Sequence, residues 1–249
     1  KKYSIEKGGS VLKRVILIIL SVFVILLASC GGSITPGEYN YSAATYTIDE
    51  DSRYISIAYP VLTGTEFDDA INELLLSKSL EQMENYLTYS AGANDGRFYR
   101  YTIDSVSSQC LGEELASFLC VGSYSDEYSD YPETIVYSFN LNPKTGELYA
   151  FDELILDFSI IKEKFESGAF DYISGLENLL TLTNYSDMIV GYDDTYQLYP
   201  PIYFIADEND FELALSVGLV YELGGHAEFS IDADLVSSAL TERLLEMIK

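Results

Sequence analysis

The apolar positions change rhythm several times along the chain, and each rhythm predicts an element. Residues 15–28 are apolar at every position but Ser21. The run is short for a bilayer-spanning helix, which needs about 20 such residues. From Ala43 the period falls to two. In ATYTIDEDSRYISIAYPVL, Ile55, Ile57 and Tyr59 alternate with Tyr54, Ser56 and Ala58, which predicts strand. Phe67, Ala70, Ile71, Leu74 and Leu75 then recur at three-four spacing, continued by Met83, Tyr86 and Leu87, which predicts an amphipathic helix. Thr65 and Asp68 can cap its first turn, and GANDG (92–96) breaks it. RFYRYTIDSV, ELASFLCVGSYS and TIVYSFNLN read as strands, the last ending in the turn NPKTGE. FDELILDFSIIKEKF and GLENLLTL read as short helices. PPIYFIADENDFELALSVGLVYEL reads as a hairpin with ADEND at its tip, and AEFSI as a last strand. Asp232 or Asp234 caps a terminal helix with Leu235, Ala239, Leu240, Leu244 and Ile248 facing inward. Strands in runs, broken by a few helices, predict an α+β fold of antiparallel sheet and not a βαβ alternation.

Ahead of the first apolar run stand Lys1, Lys2, Lys7, Lys13 and Arg14, opposed only by Glu6. A basic leader, a short apolar core and small residues at its end describe a secretory signal peptide, residues 1–29. Leu27-Ala28-Ser29-Cys30 resembles the lipobox of bacterial lipoproteins. That resemblance implies a diacylglycerol thioether on Cys30 and a protein anchored at the extracytoplasmic face of a bacterial membrane. Two acyl chains hold far better than one, at roughly 0.8 kcal/mol per buried methylene. Residues 30–42, rich in Gly, Ser and Pro, read as a flexible tether. Residues 43–249 then form the folded module, as one unit or as two, 43–95 and 96–249.

Charge narrows the partners. The chain has 40 acidic and 14 basic residues, a formal charge of −26, and 48% of its residues are hydrophobic. It therefore buries a core and carries its negative charge on a folded surface. Such a surface repels nucleic acid and attracts cations, although acidity also serves solubility alone. The one histidine, His226, has no Gly-x-Ser-x-Gly elbow to serve and no further His to share a zinc ion with. Phosphate-binding glycine loops are absent from the sequence, and no cofactor is expected. ADENDFE fails as a calcium loop, because Asp207 and Asn209 are followed by Phe211 where the fifth-position ligand belongs. Carboxylates are too numerous for any one pair to mark a glycosidase.

Tyrosine is the odd abundance, with 22 Tyr and no Trp. In YSDEYSDYPE, Tyr124, Tyr128 and Tyr131 are interleaved with Asp126, Glu127 and Asp130. Amphipathic rings beside carboxylates suit a surface for a basic partner. The alternative is a solvated loop with its tyrosines on adjoining strands. Cys110 and Cys120 are an even pair in an exported chain, so a disulfide and two buried thiols both stay open. A hairpin of 98–108 and 114–123 about LGEE places Cys110 opposite a residue near 115, not opposite Cys120.

The order of segments ISIAYPVLTG, FDDAINELL, VYSFNLNPKTGELYAFDELI and IYFIADENDFELALSVGLVYELGGHAEFSIDADL is similar to the RsiV/PdaC-type extracellular module, over about residues 46–240. That module occurs in lysozyme-sensing anti-sigma factors and ahead of the catalytic domain of peptidoglycan deacetylases. The family often carries a histidine before its central strand, where Tyr131-Pro132 stands here, and a Tyr-rich closing run, here VGLVYELGG. The resemblance implies a non-enzymatic, surface-anchored binding protein for a cationic protein such as a lysozyme, or for a cell-wall fragment. An envelope glycan hydrolase working through two carboxylates, and a structural lipoprotein of an envelope assembly, are the alternatives.

Overall fold

In the computed structural model residues 37–89, 98–192, 198–206 and 211–248 are described. The expected leader, Cys30, GANDG, and Asp207 and Asn209 lie outside them. β1 (Asn40–Glu50) and β2 (Arg53–Thr63) form the first hairpin, and α1 (Asp68–Tyr89) leads to β3 (Tyr99–Leu111). β4 (Ala116–Asp126), β5 (Glu133–Asn142) and the short β6 (Glu147–Leu148) complete a six-stranded sheet in the order β1-β2-β3-β4-β5-β6. The α+β expectation holds, with one difference. β2 and β3 run parallel over Arg53–Ile57, and α1 makes the long return that a parallel pair requires. β2 and β3, which flank residue 95, are thus neighbours in one sheet. Pro60 falls beyond their last shared pair, where a residue without an N–H is tolerated.

α1 starts as its sequence predicts. The Asp68 carboxylate accepts from the amides of Gly64 (2.8 Å) and Thr65 (2.7 Å), and Thr65 Oγ1 accepts from the Phe67 amide. Ile71, Leu75, Ser79 and Met83 line the inner face, and the buried Ser79 hydroxyl donates to its own helix at Leu75 O. Phe67 and Ala70, expected inside, are exposed. The expected tether is held from Gly37 on: the Gly37 amide donates to Leu111 O, Tyr39 Oη to Gly112 O, and Tyr41 Oη to Val106 O.

α2 (Phe151–Leu154) and α3 (Phe158–Glu166) follow the first sheet. β7 (Asp171–Ser174), α4 (Leu179–Leu182), α5 (Tyr185–Ile189), β8 (Ile202–Ala206), β9 (Phe211–Gly218) and β10 (His226–Asp232) come next. The strands among them form a second, antiparallel sheet in the order β7-β10-β9-β8. The expected terminal helix is broken. A 3-10 turn, Ala233–Ala239, gives way to Leu240, which bridges Ile155, and Thr241 then caps α6 (Glu242–Met247). Leu235 points out, while Ala239, Leu240, Leu244 and Ile248 are buried.

Two cores result. α1 covers one face of the first sheet over Ile55, Ile57, Tyr101, Phe118 and Tyr137. α3, α5 and α6 cover the second sheet, where Phe165 meets Phe170, Tyr185 and Phe229 edge-on at 4.9–5.4 Å. Between the sheets Leu119, Tyr203 and Ala214 make a smaller apolar contact. There the edge strand β8 is satisfied by side chains of the first sheet. Ile202 O accepts from Ser138 Oγ (2.7 Å) and Asn140 Nδ2 (2.9 Å), and the Phe204 amide donates to Ser117 Oγ (3.1 Å). Unpaired edge groups are thereby covered.

No disulfide joins Cys110 and Cys120; both thiols are free and buried, Cys110 in the second core and Cys120 in the first. As expected, Cys110 does not face Cys120; it pairs with Ser117, two residues on from 115, because β3 bulges between Ile103 and Ser105 and again between Ser108 and Cys110. Each bulge adds one residue to β3 and slips the register by one.

Candidate functional site

The acidic, tyrosine-rich loop joins β4 to β5. Its turn is built by Asp126, whose Oδ1 accepts from the Tyr128 amide (2.9 Å) and from Ser129 Oγ (2.9 Å). Tyr124 does not belong to the loop surface. Alternation along β4 sends it to the α1 side, where it is 3% exposed and packs on Tyr86 (5.2 Å) and Tyr99 (6.2 Å). Of the six residues singled out in the sequence, Glu127, Tyr128, Asp130 and Tyr131 therefore stand at the surface, Tyr128 at 74% and Tyr131 at 55% exposure.

A partner the sequence did not reveal sits across from them. The β9–β10 connection is closed by the Leu219 amide on Gly225 O and the Gly225 amide on Val220 O, with a 3-10 turn at Tyr221–Leu223. Gly224 and Gly225 have φ of +92° and +79°, a region that favours glycine. Gly225 is also pressed against β5: a Cβ there would fall 1.9 Å from Thr134 Oγ1. This docking brings Tyr221 flat onto Tyr131, centroids 4.3 Å apart and planes 17° apart. Tyr221 and Val220 are exposed, as is Glu222. The result is an exposed aromatic pair from two loops that also carry the exposed carboxylates Glu127, Asp130 and Glu222.

Next along the chain, β10 carries a polar cluster that it shares with β8 and β7. His226 Nε2 approaches Glu228 Oε1 at 3.5 Å, and Tyr203 Oη donates to Glu228 Oε2 at 3.4 Å. Burial pushes the Glu228 carboxyl up. Hydrogen bonds from His226, Ser174 and Tyr203, with the nearby imidazole, outweigh it and hold the group below its usual range. Burial, helped by Glu228, drives the Tyr203 phenol well above its ordinary value. The cluster keeps an ionised carboxylate in a half-buried place and ties three strands together. His226 Nδ1 and Ser216 Oγ are buried without hydrogen-bond partners among the described residues. Among those residues no group of three or more His, Cys, Asp and Glu is placed to hold a metal ion, and no helix is long and apolar enough to cross a membrane.

The chain is similar to two solved structures of the DUF3298 family. One is from Bacteroides fragilis, at 11% identity over 86% of this chain and 98% of that one, with a TM-score of 0.47. The other is from Pseudomonas aeruginosa PAO1, at 10% identity over 86% of this chain and 98% of that one, with a TM-score of 0.49. No family model matches the chain, and no curated protein matches it.

Proposed function

We propose that this is a non-enzymatic binding protein, tethered through a lipid on Cys30 at the extracytoplasmic face of a bacterial membrane, whose partner is a cationic protein such as a lysozyme. The observation that carries the reading is the exposed Tyr131–Tyr221 pair on two loops that also carry exposed carboxylates. Stacked tyrosines offer rigid contact area at low entropy cost. The excess of 40 acidic over 14 basic residues supplies a long-range field that steers a basic partner and is screened by salt.

Calorimetric titration of the purified protein with lysozyme, at low and at moderate salt, tests the partner. Exothermic or endothermic binding that weakens as salt rises is expected, and no heat at low salt removes lysozyme as the ligand. Soluble peptidoglycan fragments in the same cell test a cell-wall ligand in its place. Mass spectrometry of the native protein tests the anchor: an acylated Cys30 at the N-terminus is expected, and an unmodified thiol contradicts it.

A further inference from the structure

Two phenols that each lose an electron and a proton can join through the ring carbons ortho to their hydroxyls. The coupling needs two rings that an oxidant can reach and that meet before either radical is quenched. Tyr131 and Tyr221 satisfy both conditions. They are 55% and 51% exposed, with centroids 4.3 Å apart and planes 17° from parallel. The tyrosine contacts of the first core fail the first condition. Tyr86–Tyr101, Tyr86–Tyr124 and Tyr99–Tyr124 each include a ring at 3% exposure or less.

The backbone keeps the exposed pair together. Pro132, with its fixed φ, follows Tyr131, and Thr134 is already in β5. Gly225 presses on Thr134, and its amide donates to Val220 O, beside Tyr221. Such tethering raises the effective concentration of one ring at the other far above that of a ring on a second molecule. Exposed side chains change rotamer within picoseconds to nanoseconds. The stack can therefore open to an edge-to-edge approach in which ortho carbons touch.

We propose that Tyr131 and Tyr221 form an oxidative cross-linking site, at which hydrogen peroxide acting through a haem peroxidase joins the β4–β5 loop to the β9–β10 loop as dityrosine. Each phenol gives up one electron and one proton and becomes a phenoxyl radical. One ortho carbon from each ring forms the new C–C bond. The hydrogen on each of those carbons then moves to the phenoxyl oxygen as the ring regains its aromaticity. The two electrons and two protons released pass to peroxide, whose O–O bond breaks to give two waters. The product closes a loop of roughly 90 residues and ties the first sheet to the second, which restricts the unfolded chain more than the folded one. The site shares its rings with the proposed binding surface but does not rest on that reading.

The test is brief treatment of the dilute, full-length protein in detergent with horseradish peroxidase and hydrogen peroxide. Dityrosine fluorescence is expected in the monomer fraction, with the loss of two hydrogens by mass spectrometry. Proteolysis and tandem mass spectrometry should join Tyr131 to Tyr221. The yield per molecule should stay constant on dilution, as an intramolecular step requires. Tyr131→Phe and Tyr221→Phe keep the rings and remove the phenols, and each should lower the monomer's yield by about tenfold or more. Tyr128→Phe should leave it unchanged, although Tyr128 is the more exposed ring at 74%. The cross-linked monomer should melt about 5 °C or more above Tyr131→Phe treated in the same way. Cross-links only between molecules, a link from Tyr128 to Tyr221, an undiminished yield in either Phe variant of the pair, or no dityrosine in the monomer each overturns the proposal. An unchanged Tm in the cross-linked monomer overturns the claim that the link ties the sheets. None of these outcomes depends on whether lysozyme binds.

Discussion

Tyr131 and Tyr221 stack face to face, 4.3 Å between centroids, although one lies in a loop of the first sheet and the other in a loop of the second. Both rings remain more than half exposed, so the contact both links the sheets and shows itself to solvent. An aromatic pair is worth about 0.5–1.5 kcal/mol beyond the area it buries. Tyr131→Ala and Tyr221→Ala should each lower stability by about 1 kcal/mol, and a double-mutant cycle by chemical denaturation should return a coupling energy in that range. Additive single effects would mean that the stack holds nothing together.

Gly225 sets that geometry. Its φ of +79°, and the 1.9 Å that would separate a Cβ from Thr134 Oγ1, both oppose any side chain. Gly225→Ala should cost about 1–3 kcal/mol and lower Tm. Adding Thr134→Ala should recover only part of it, because the backbone strain remains. Full recovery would assign the whole cost to the contact.

Glu228 gives stability a definite pH dependence. Its folded-state affinity for a proton lies below that of the unfolded chain, whose ordinary value is 4.5. Its contribution is therefore present above that value and is lost as pH falls through and below it. Glu228→Gln should unfold at lower temperature than the parent at neutral pH, and the gap in Tm should close as pH is lowered below that value. A gap that widens in acid would reverse the sign.

The two inner thiols should be silent in the folded protein. Burial pushes Cys110 and Cys120 up to about 12, offset only in part by hydrogen bonds from the Gly112 backbone and from Tyr137 respectively. A thiol reagent at about pH 8 should find neither while the protein is folded and both in guanidinium without reductant, since the thiolate is the reactive form. Finding none in guanidinium would mean a disulfide, and a third equivalent would mean that Cys30 carries no lipid.

Much of the frame was legible in the sequence because local rules governed it. The α1 cap at Thr65 and Asp68, the hairpin of β8 and β9, and the α+β class all follow from periodicity and capping. Long-range choices were not legible. The parallel β2–β3 pair depends on where α1 returns the chain, and the register around Cys110 on two bulges that leave no composition signal. Tyr124 stands two residues ahead of the acidic Asp126-Glu127 pair in sequence, yet strand alternation turns it into the core. Tyr221 joins the site only because Gly225 lets one loop settle against Thr134 of the other sheet. The broken terminal helix follows from Leu240 bridging Ile155, a contact that overrides helical periodicity.

The most direct test of the account is lysozyme titration of the Tyr131→Ala/Tyr221→Ala double variant beside the parent at low salt. The tyrosine pair is predicted to carry the short-range contact while the acidic field remains. Affinity should therefore fall by about tenfold or more, equivalent to roughly 1.4 kcal/mol or more, with the salt dependence kept. Unchanged affinity in a variant that still unfolds cooperatively would contradict the claim that this surface is where the protein binds.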